Sequence, residues 1–315
     1  MNVKISDSRP QISIVVPAYN EEQALPIFFE EVEKIKNQMQ LTFEYIFIND
    51  GSKDKTIEVL KSLSQSNATV HYIDFSRNFG KEAALLAGLK MSTGNFVAVM
   101  DADLQDPPEM LTEMYQLLLA GEYDVVGTRR VSRDGEPVLR SMFARLFYWM
   151  INKISSTEMV DGARDFRLMT RQVVDSILSL EEYNRFSKGI FSWVGYRTKY
   201  LEYKNRQRVA GETSWSFWGL LKYSIEGIIN FSNAPLQIAT YSGILSSMIA
   251  IIFIIVIIIR TIVYGDPVAG WPSLVSIILL IGGIQLFSMG IIGQYIGKIY
   301  LETKHRPQYV IKDSK

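Results

Sequence analysis

Two aspartates one residue apart, Asp101 and Asp103, directly follow the apolar run Phe96-Val-Ala-Val-Met100. A short apolar run of this kind reads as a buried strand, and ligands of α/β sheets sit at the carboxyl ends of strands. The pair can hold a divalent cation against a diphosphate, with Gln105 adding a neutral oxygen. Such a cation neutralises charge on a departing nucleoside diphosphate, which is Lewis-acid help rather than proton transfer. Alone, Asp-x-Asp is a weak signal, since aspartates also serve as turn formers and helix caps. Asp50, within Asn49-Asp-Gly-Ser52, can accept hydrogen bonds from a nucleotide's base or ribose, although Asp-Gly is also an ordinary turn. Lys81 and Arg77 can offer positive charge to phosphate, or sit solvated at a helix start.

Composition narrows the choice of metal and partner. The chain has no cysteine, and its only histidines, His71 and His305, are far apart, so thiolate sites and disulfides are excluded. Oxygen ligands favour Mg²⁺ or Mn²⁺ over zinc. With 33 basic and 33 acidic residues the formal charge is zero, and nucleic acid is not an expected partner.

The elements that must position these residues alternate between strand and helix. Ile12 to Pro17, Tyr45 to Asn49, His71 to Phe75 and Phe96 to Met100 read as strands; Glu21 to Gln38, Lys55 to Ser64, Lys81 to Met91 and Pro108 to Leu119 read as helices. That alternation predicts an α/β domain with a mostly parallel sheet covered by helices. The polar segments Pro17-Ala-Tyr-Asn-Glu-Glu22, Asn49-Asp-Gly-Ser52, Ser76-Arg-Asn-Phe-Gly-Lys81 and Asp101-Ala-Asp-Leu-Gln-Asp106 each follow a strand, where the ligand belongs.

The composition changes late in the chain. Gly227 to Ile259 and Val268 to Gly297 carry no charged residue, and each exceeds the roughly 20 residues that cross a bilayer as a helix. Joined by Arg260 to Gly270, they predict a transmembrane hairpin with both chain ends on one side. The tail carries Lys298, Lys304, Arg306, Lys312 and Lys315, which places it and the large first domain in the cytoplasm. The polar start from Met1 to Gln11 lacks the apolar region of a signal peptide, in keeping with a cytosolic first domain. Two stripes, Met142, Phe143, Leu146, Phe147, Met150 and Ile151, and Trp215, Trp218, Leu221, Ile225 and Ile228, have helical spacing. Core packing explains each stripe alone; beside a membrane anchor they read as interfacial amphipathic helices. The expected division is a catalytic domain at 1–212, an interfacial helix at 213–234, the hairpin at 235–300 and a basic tail at 301–315.

The strings Asp74-Phe-Ser-Arg-Asn-Phe-Gly-Lys-Glu-Ala-Ala-Leu85 and Val99-Met-Asp-Ala-Asp-Leu-Gln-Asp-Pro-Pro108, in this order, resemble those of the polyprenyl-phosphate hexosyltransferases. These are family-2 inverting glycosyltransferases of GT-A fold, and the hairpin matches the bactoprenol glucosyltransferase branch rather than other dolichol-phosphate mannose synthase-like members. The resemblance covers nearly the whole chain. It implies that Pro17, Tyr19, Glu21 and Asp50 contact a uridine nucleotide, and that Asp101, Asp103 and Gln105 form the metal and sugar-diphosphate site. It makes Asp165, in Asp161-Gly-Ala-Arg-Asp-Phe-Arg-Leu168, the candidate catalytic carboxylate. Arg208, in Arg208-Val-Ala-Gly-Glu-Thr-Ser-Trp215, becomes a phosphate ligand. That segment departs from the family pattern at Ser214, where a lysine is common; Arg206 or Lys222 can supply the missing charge.

The implied reaction is transfer of a hexose from a UDP-sugar to polyprenyl phosphate, with glucose leading by analogy over N-acetylglucosamine, galactose and mannose. A phosphate monoester has a second pKa near 6 and is mostly dianionic at cytosolic pH, so it needs little help from a general base. Asp165 is therefore expected to orient an arginine or the sugar, with Arg129, Arg140 and Arg208 aligning the acceptor phosphate; the structural alternative for Asp165 is an ion pair with Arg164 or Arg167. The segment from Gly127 to Pro137 has the glycine, proline and charge of a loop that closes over substrate, or of a plain connection. A processive polysaccharide synthase is disfavoured because Gln-x-x-Arg-Trp is absent. An inactive lipid- or nucleotide-binding scaffold would not need an intact Asp-x-Asp. Association of copies through the hairpins, as a homo-oligomer, is expected from the resemblance.

Overall fold

A computed structural model describes residues 9–130, 152–153, 160, 162–203, 229, 232, 234–264 and 270–315. Arg140, Arg208, both amphipathic stripes and most of the proposed closing loop lie outside the described residues.

Four parallel strands form the centre of the sheet: β1 (Ile12–Ala18), β2 (Phe43–Asn49), β3 (Val70–Phe75) and β4 (Phe96–Val99). Between them run α1 (Ala24–Met39), α2 (Thr56–Ser66) and α3 (Lys81–Met91), and α4 (Met110–Leu119) follows β4. All eight elements lie within a few residues of their predicted positions. The sheet continues through β5 (Val125–Arg130), β6 (Ala163–Thr170) and β7 (Thr198–Tyr203), in the order β7-β5-β6-β4-β1-β2-β3-β8. The last strand, β8 (Ile311–Ser314), comes from the segment read as a basic tail and pairs antiparallel with β3. A four-residue polar strand carries no hydrophobic pattern, so its place is set by pairing alone.

Helices cover both faces of the sheet, which is why the central strands read as unbroken apolar runs. One face of β1 and β2, with Ile12, Ile14, Val16, Phe43, Tyr45 and Phe47, packs against Leu25 and Phe28 of α1, Leu60 of α2 and Met114 of α4. The other face, with Val15, Ile46 and Ile48, packs against α3, α5 (Arg171–Leu178) and α6 (Ser187–Trp193). Gly88 lets α3 lie close to the sheet: a Cβ there would sit 2.3 Å from Val15 Cγ1 and 2.7 Å from Ile48 Cδ1. Both neighbours are fully buried on β-strands. Gly88→Ala gains about 1 kcal/mol of helix propensity, but overpacking costs about 1–3 kcal/mol and wins in so tight a contact. The variant is expected to unfold at a lower urea midpoint than the wild type.

Two long helices complete the described chain, α7 (Ala234–Tyr264) and α8 (Trp271–Thr303). Both are long and apolar enough to cross a membrane, and the most apolar stretch of each is not buried inside the protein. Ile252, Ile254, Ile257, Leu280, Leu286 and Phe287 are among the side chains they expose. At 33 residues α8 is about 50 Å long, well beyond the roughly 30 Å of a bilayer core.

Candidate active site

β1 is flanked by β2 on one side and β4 on the other, so the crevice of the parallel sheet opens at the carboxyl ends of β1 and β4. Pro17, at half-burial, and the exposed Tyr19 close β1; Asp50 follows β2; Asp101 and Asp103 follow β4. β6 brings a further carboxylate from the opposite direction. Val99 pairs with Arg167 in the antiparallel register, and two residues further along that register Asp101 falls opposite Asp165.

Lys81 joins them. It is the first residue of α3, whose amino end points into the crevice, and its Nζ donates to Asp101 Oδ1 and Asp165 Oδ2, both at 2.6 Å. Burial alone would raise the Asp165 carboxyl, but Lys81, Lys188 and Arg167 hold it well below the usual carboxylate range. Burial likewise disfavours the charged Lys81, and the two aspartates outweigh it and hold the ammonium above the usual lysine range. Lys81 and Asp165 therefore stay ionised at neutral pH, and Asp165 is a poor proton acceptor.

The structural alternative for Asp165, an ion pair with Arg164 or Arg167, is met differently: Lys81 makes the direct contact at 2.6 Å and Arg167 contributes its charge from nearby. Strand alternation accounts for Arg164, which faces the other side of β6 and donates to Asp106 Oδ1 at 3.2 Å and Gln105 Oε1 at 3.1 Å. Arg167 donates to the main-chain oxygens of Asp165 and Arg164 and lies 3.7 Å over the ring of Phe191. The Asp106–Arg164–Tyr203 group, in which the Tyr203 hydroxyl donates to Asp106 Oδ1, was not legible as a unit. Its only signal was the second acid in Asp103-Leu-Gln-Asp106. Burial raises the Asp106 carboxyl, partly offset by Arg164 and Tyr203, and Asp106 Oδ2 has no hydrogen-bond partner among the described residues.

Asp50 is engaged from within. Its carboxylate accepts the N–H of Phe79 at 2.6 Å and of Gly80 at 2.9 Å, fixing the turn that delivers Lys81. Burial pushes this carboxyl up, and the two N–H donors pull against it. The neighbouring Gly51 has φ +64°, and a Cβ there would meet the Arg77 carbonyl carbon at 2.3 Å, so the β2 and β3 loops approach as only glycine permits. The β1 loop is stitched to the β2 loop: Asn20 N–H donates to Ser52 Oγ, Glu21 N–H to Thr56 Oγ1 and Lys53 N–H to Asn20 Oδ1, each at 2.9 Å.

Asp103 is buried, and its Oδ1 accepts the Gln105 N–H at 3.1 Å. Between them Leu104 has φ +54°, a conformation uncommon for a non-glycine residue and frequent at ligand-binding turns. Among the described residues no three Asp, Glu, His or Cys groups gather as a preformed metal cage. The available donors are nevertheless all oxygens, as a hard divalent cation requires, and Asp101 already holds a positive charge in Lys81. Arg129, on β5, is half-exposed with Nη1 3.9 Å from Glu202. Of the expected site residues, the structure thus brings Lys81, Asp101 and Asp165 into direct contact, with Asp103 and Gln105 in the adjoining turn.

Residues 13–178, spanning this crevice and its carboxylates, match Glycosyl transferase family 2. The chain belongs to that family. Relatives share its full length: it is 44% identical to the bactoprenol glucosyl transferase of Shigella phage SfV, over 97% of this chain and 99% of that one. It is 43% identical to the putative glycosyltransferase CsbB of Bacillus subtilis, over 96% of this chain and 92% of that one. Among solved structures, the mannosyltransferase PcManGT from Pyrobaculum calidifontis, in complex with GDP-Man and Mn²⁺, is similar in fold. Its TM-score is 0.51 at 14% identity, over 95% of this chain and 87% of that one. The glycosyltransferase reading and the GT-A fold expected from the sequence are both borne out.

Proposed function

We propose that this family-2 enzyme transfers glucose from UDP-glucose to undecaprenyl phosphate at the cytoplasmic face of a membrane, with inversion at the anomeric carbon. The observation that carries the reading is the Asp101–Lys81–Asp165 cluster, with both contacts at 2.6 Å, beside Asp103 at the crevice of the parallel sheet and in a chain that also bears two exposed apolar helices of membrane-spanning length. The full-length similarity to bactoprenol glucosyl transferases supports the acceptor class and the sugar.

In this reading Pro17, Tyr19, Glu21 and Asp50 shape the uridine side of the crevice, Asp50 through the loop it fixes. Asp101 and Asp103, with Gln105 beside them, would hold Mg²⁺ or Mn²⁺. A bound divalent ion supplies Lewis-acid stabilisation of the departing diphosphate. With an ion bound, Asp101 would serve both it and Lys81, and Lys81 keeps Asp165 ionised. The acceptor dianion, aligned by Arg129, Arg140 and Arg208, attacks the anomeric carbon; the new bond forms to a phosphate oxygen as the bond to UDP breaks, so an α-linked donor gives a β-linked lipid product. No proton has to move, which agrees with an Asp165 held well below the usual carboxylate range. Exposed α7 and α8 hold the domain at the bilayer, with the catalytic domain and the tail in the cytoplasm and copies associating through the hairpins.

The test is a panel of UDP-sugars and GDP-mannose with purified protein and undecaprenyl phosphate, before and after chelation by EDTA. Transfer is expected from UDP-glucose in preference to the N-acetylglucosamine and galactose donors and to GDP-mannose. It should fall to background on chelation and return with added Mn²⁺ or Mg²⁺. Undiminished transfer in EDTA would remove the metal from the scheme, and preference for another donor would reassign the sugar.

A further inference from the structure

The end of α8 is bolted to the catalytic domain at a place unrelated to membrane insertion. In its last turn Glu302 accepts the main-chain N–H of Tyr183 at 2.9 Å, the N–H of Asn184 at 3.1 Å and the Asn184 side-chain amide at 3.0 Å. Three residues on, Ser187 begins α6 and donates both its N–H, at 2.9 Å, and its hydroxyl to Glu82. Glu82 adjoins Lys81, whose Nζ bridges Asp101 and Asp165. An unbroken path of hydrogen bonds and covalent neighbours therefore runs from the foot of the hairpin to the reacting carboxylates. Beyond Glu302 the chain is pinned again: Tyr309 stacks on Phe75 at 5.0 Å, β8 pairs with β3, and Asp313 bonds Lys61 at 2.7 Å.

We propose that Glu302 is a positioning residue that locks the catalytic domain at one height and tilt over the bilayer, so that a membrane-bound acceptor meets the carboxylate site without a search. The inference deepens the proposed lipid-phosphate transfer and rests on it for its kinetic readout only. The β8 pairing cannot do this alone. Four residues, 304–307, separate α8 from Gln308, whose side-chain amide donates to the Glu182 main-chain oxygen, and such a stretch reaches roughly 14 Å when extended, which still leaves slack for the domain to sway. Glu302 removes that slack by seizing the 183–184 turn at the point where α8 ends. Holding two reactants in a fixed relation converts an encounter within the membrane plane into a near-unimolecular step.

Absence of native cysteine permits unique spin labelling of Lys90→Cys on α3 and Ile296→Cys on α8, both exposed. In nanodiscs the interspin distance distribution is expected to be narrow in the parent. Glu302→Ala should broaden it about twofold or more, and Glu302→Gln, which keeps an acceptor oxygen, should stay close to the narrow parent distribution. In cysteine-free protein Glu302→Ala should raise the KM for undecaprenyl phosphate about fivefold or more, with the KM for UDP-glucose and the thermal midpoint nearly unchanged. Should Glu302→Ala not fold, Asn184→Ala removes one donor and carries the same two readouts at smaller amplitude. An unchanged distance distribution in the variants overturns the proposal. If the parent transfers no sugar to lipid phosphate, the functional reading fails while the distance arm still decides whether Glu302 is a lock.

Discussion

Asp101→Ala and Asp103→Ala are each expected to lower kcat for sugar transfer by about a thousandfold, the scale seen when a group stabilising transition-state charge is removed. The first substitution removes one of the two acceptors of Lys81 and, with it, the proposed oxygen donor to a divalent ion. Asp103 is buried and also braces the turn through Gln105 N–H, so its loss should weaken UDP-glucose binding as well. Asp165→Asn is expected to retain much more turnover. Its carboxylate lies well below the proton-accepting range, and an amide oxygen can still accept a hydrogen bond from Lys81. Steady-state kcat and KM for the three variants check this, and equal inactivation of all three would make Asp165 a direct participant.

Lys81→Met has the second large effect, and pH exposes it. Without the ammonium, Asp101 and Asp165 face each other across the space that Nζ now fills. Like charges so placed cannot both remain ionised at low cost, and one carboxyl pKa rises. In the wild type Asp165 is held well below the usual carboxylate range, so kcat should be flat across the neutral range with respect to it. In the variant a proton is retained at low pH and leaves as pH rises through the raised carboxyl pKa, so kcat should climb with pH from a level about a hundredfold below wild type. Added Mn²⁺ should recover part of the loss, because a divalent ion can supply the missing charge. A flat profile in Lys81→Met would show that the lysine does not govern the ionisation of the pair.

The parallel half of the molecule was legible because burial on both faces turns each strand into an apolar run bounded by polar turns, as Phe96 to Val99 illustrates. The carboxylates at the ends of those runs were legible for the same reason. Pairings across long separations were not. Lys81 and Asp165 are 84 positions apart, and only the β4–β6 register brings the second carboxylate beside the first. Of the alternative arginine partners, Arg164 is ruled out by strand geometry, since it points to the opposite face and meets Asp106, whereas Arg167 shares the face of Asp165 and adds its charge there. Asp50 reads equally as a nucleotide ligand or a turn former, and the structure shows its oxygens on Phe79 and Gly80 N–H. Residues 311–314 carry no pattern that marks a strand, because an exposed edge strand is specified by its neighbour's unpaired backbone rather than by its own side chains.

The most direct measurement is incubation of the purified protein with radiolabelled UDP-glucose, undecaprenyl phosphate and Mn²⁺, followed by organic extraction and NMR of the anomeric centre. The account predicts label in the organic phase as a β-linked glucosyl phosphate, with UDP released in equal amount. Label confined to the aqueous phase, or an α-linked lipid product, would contradict it.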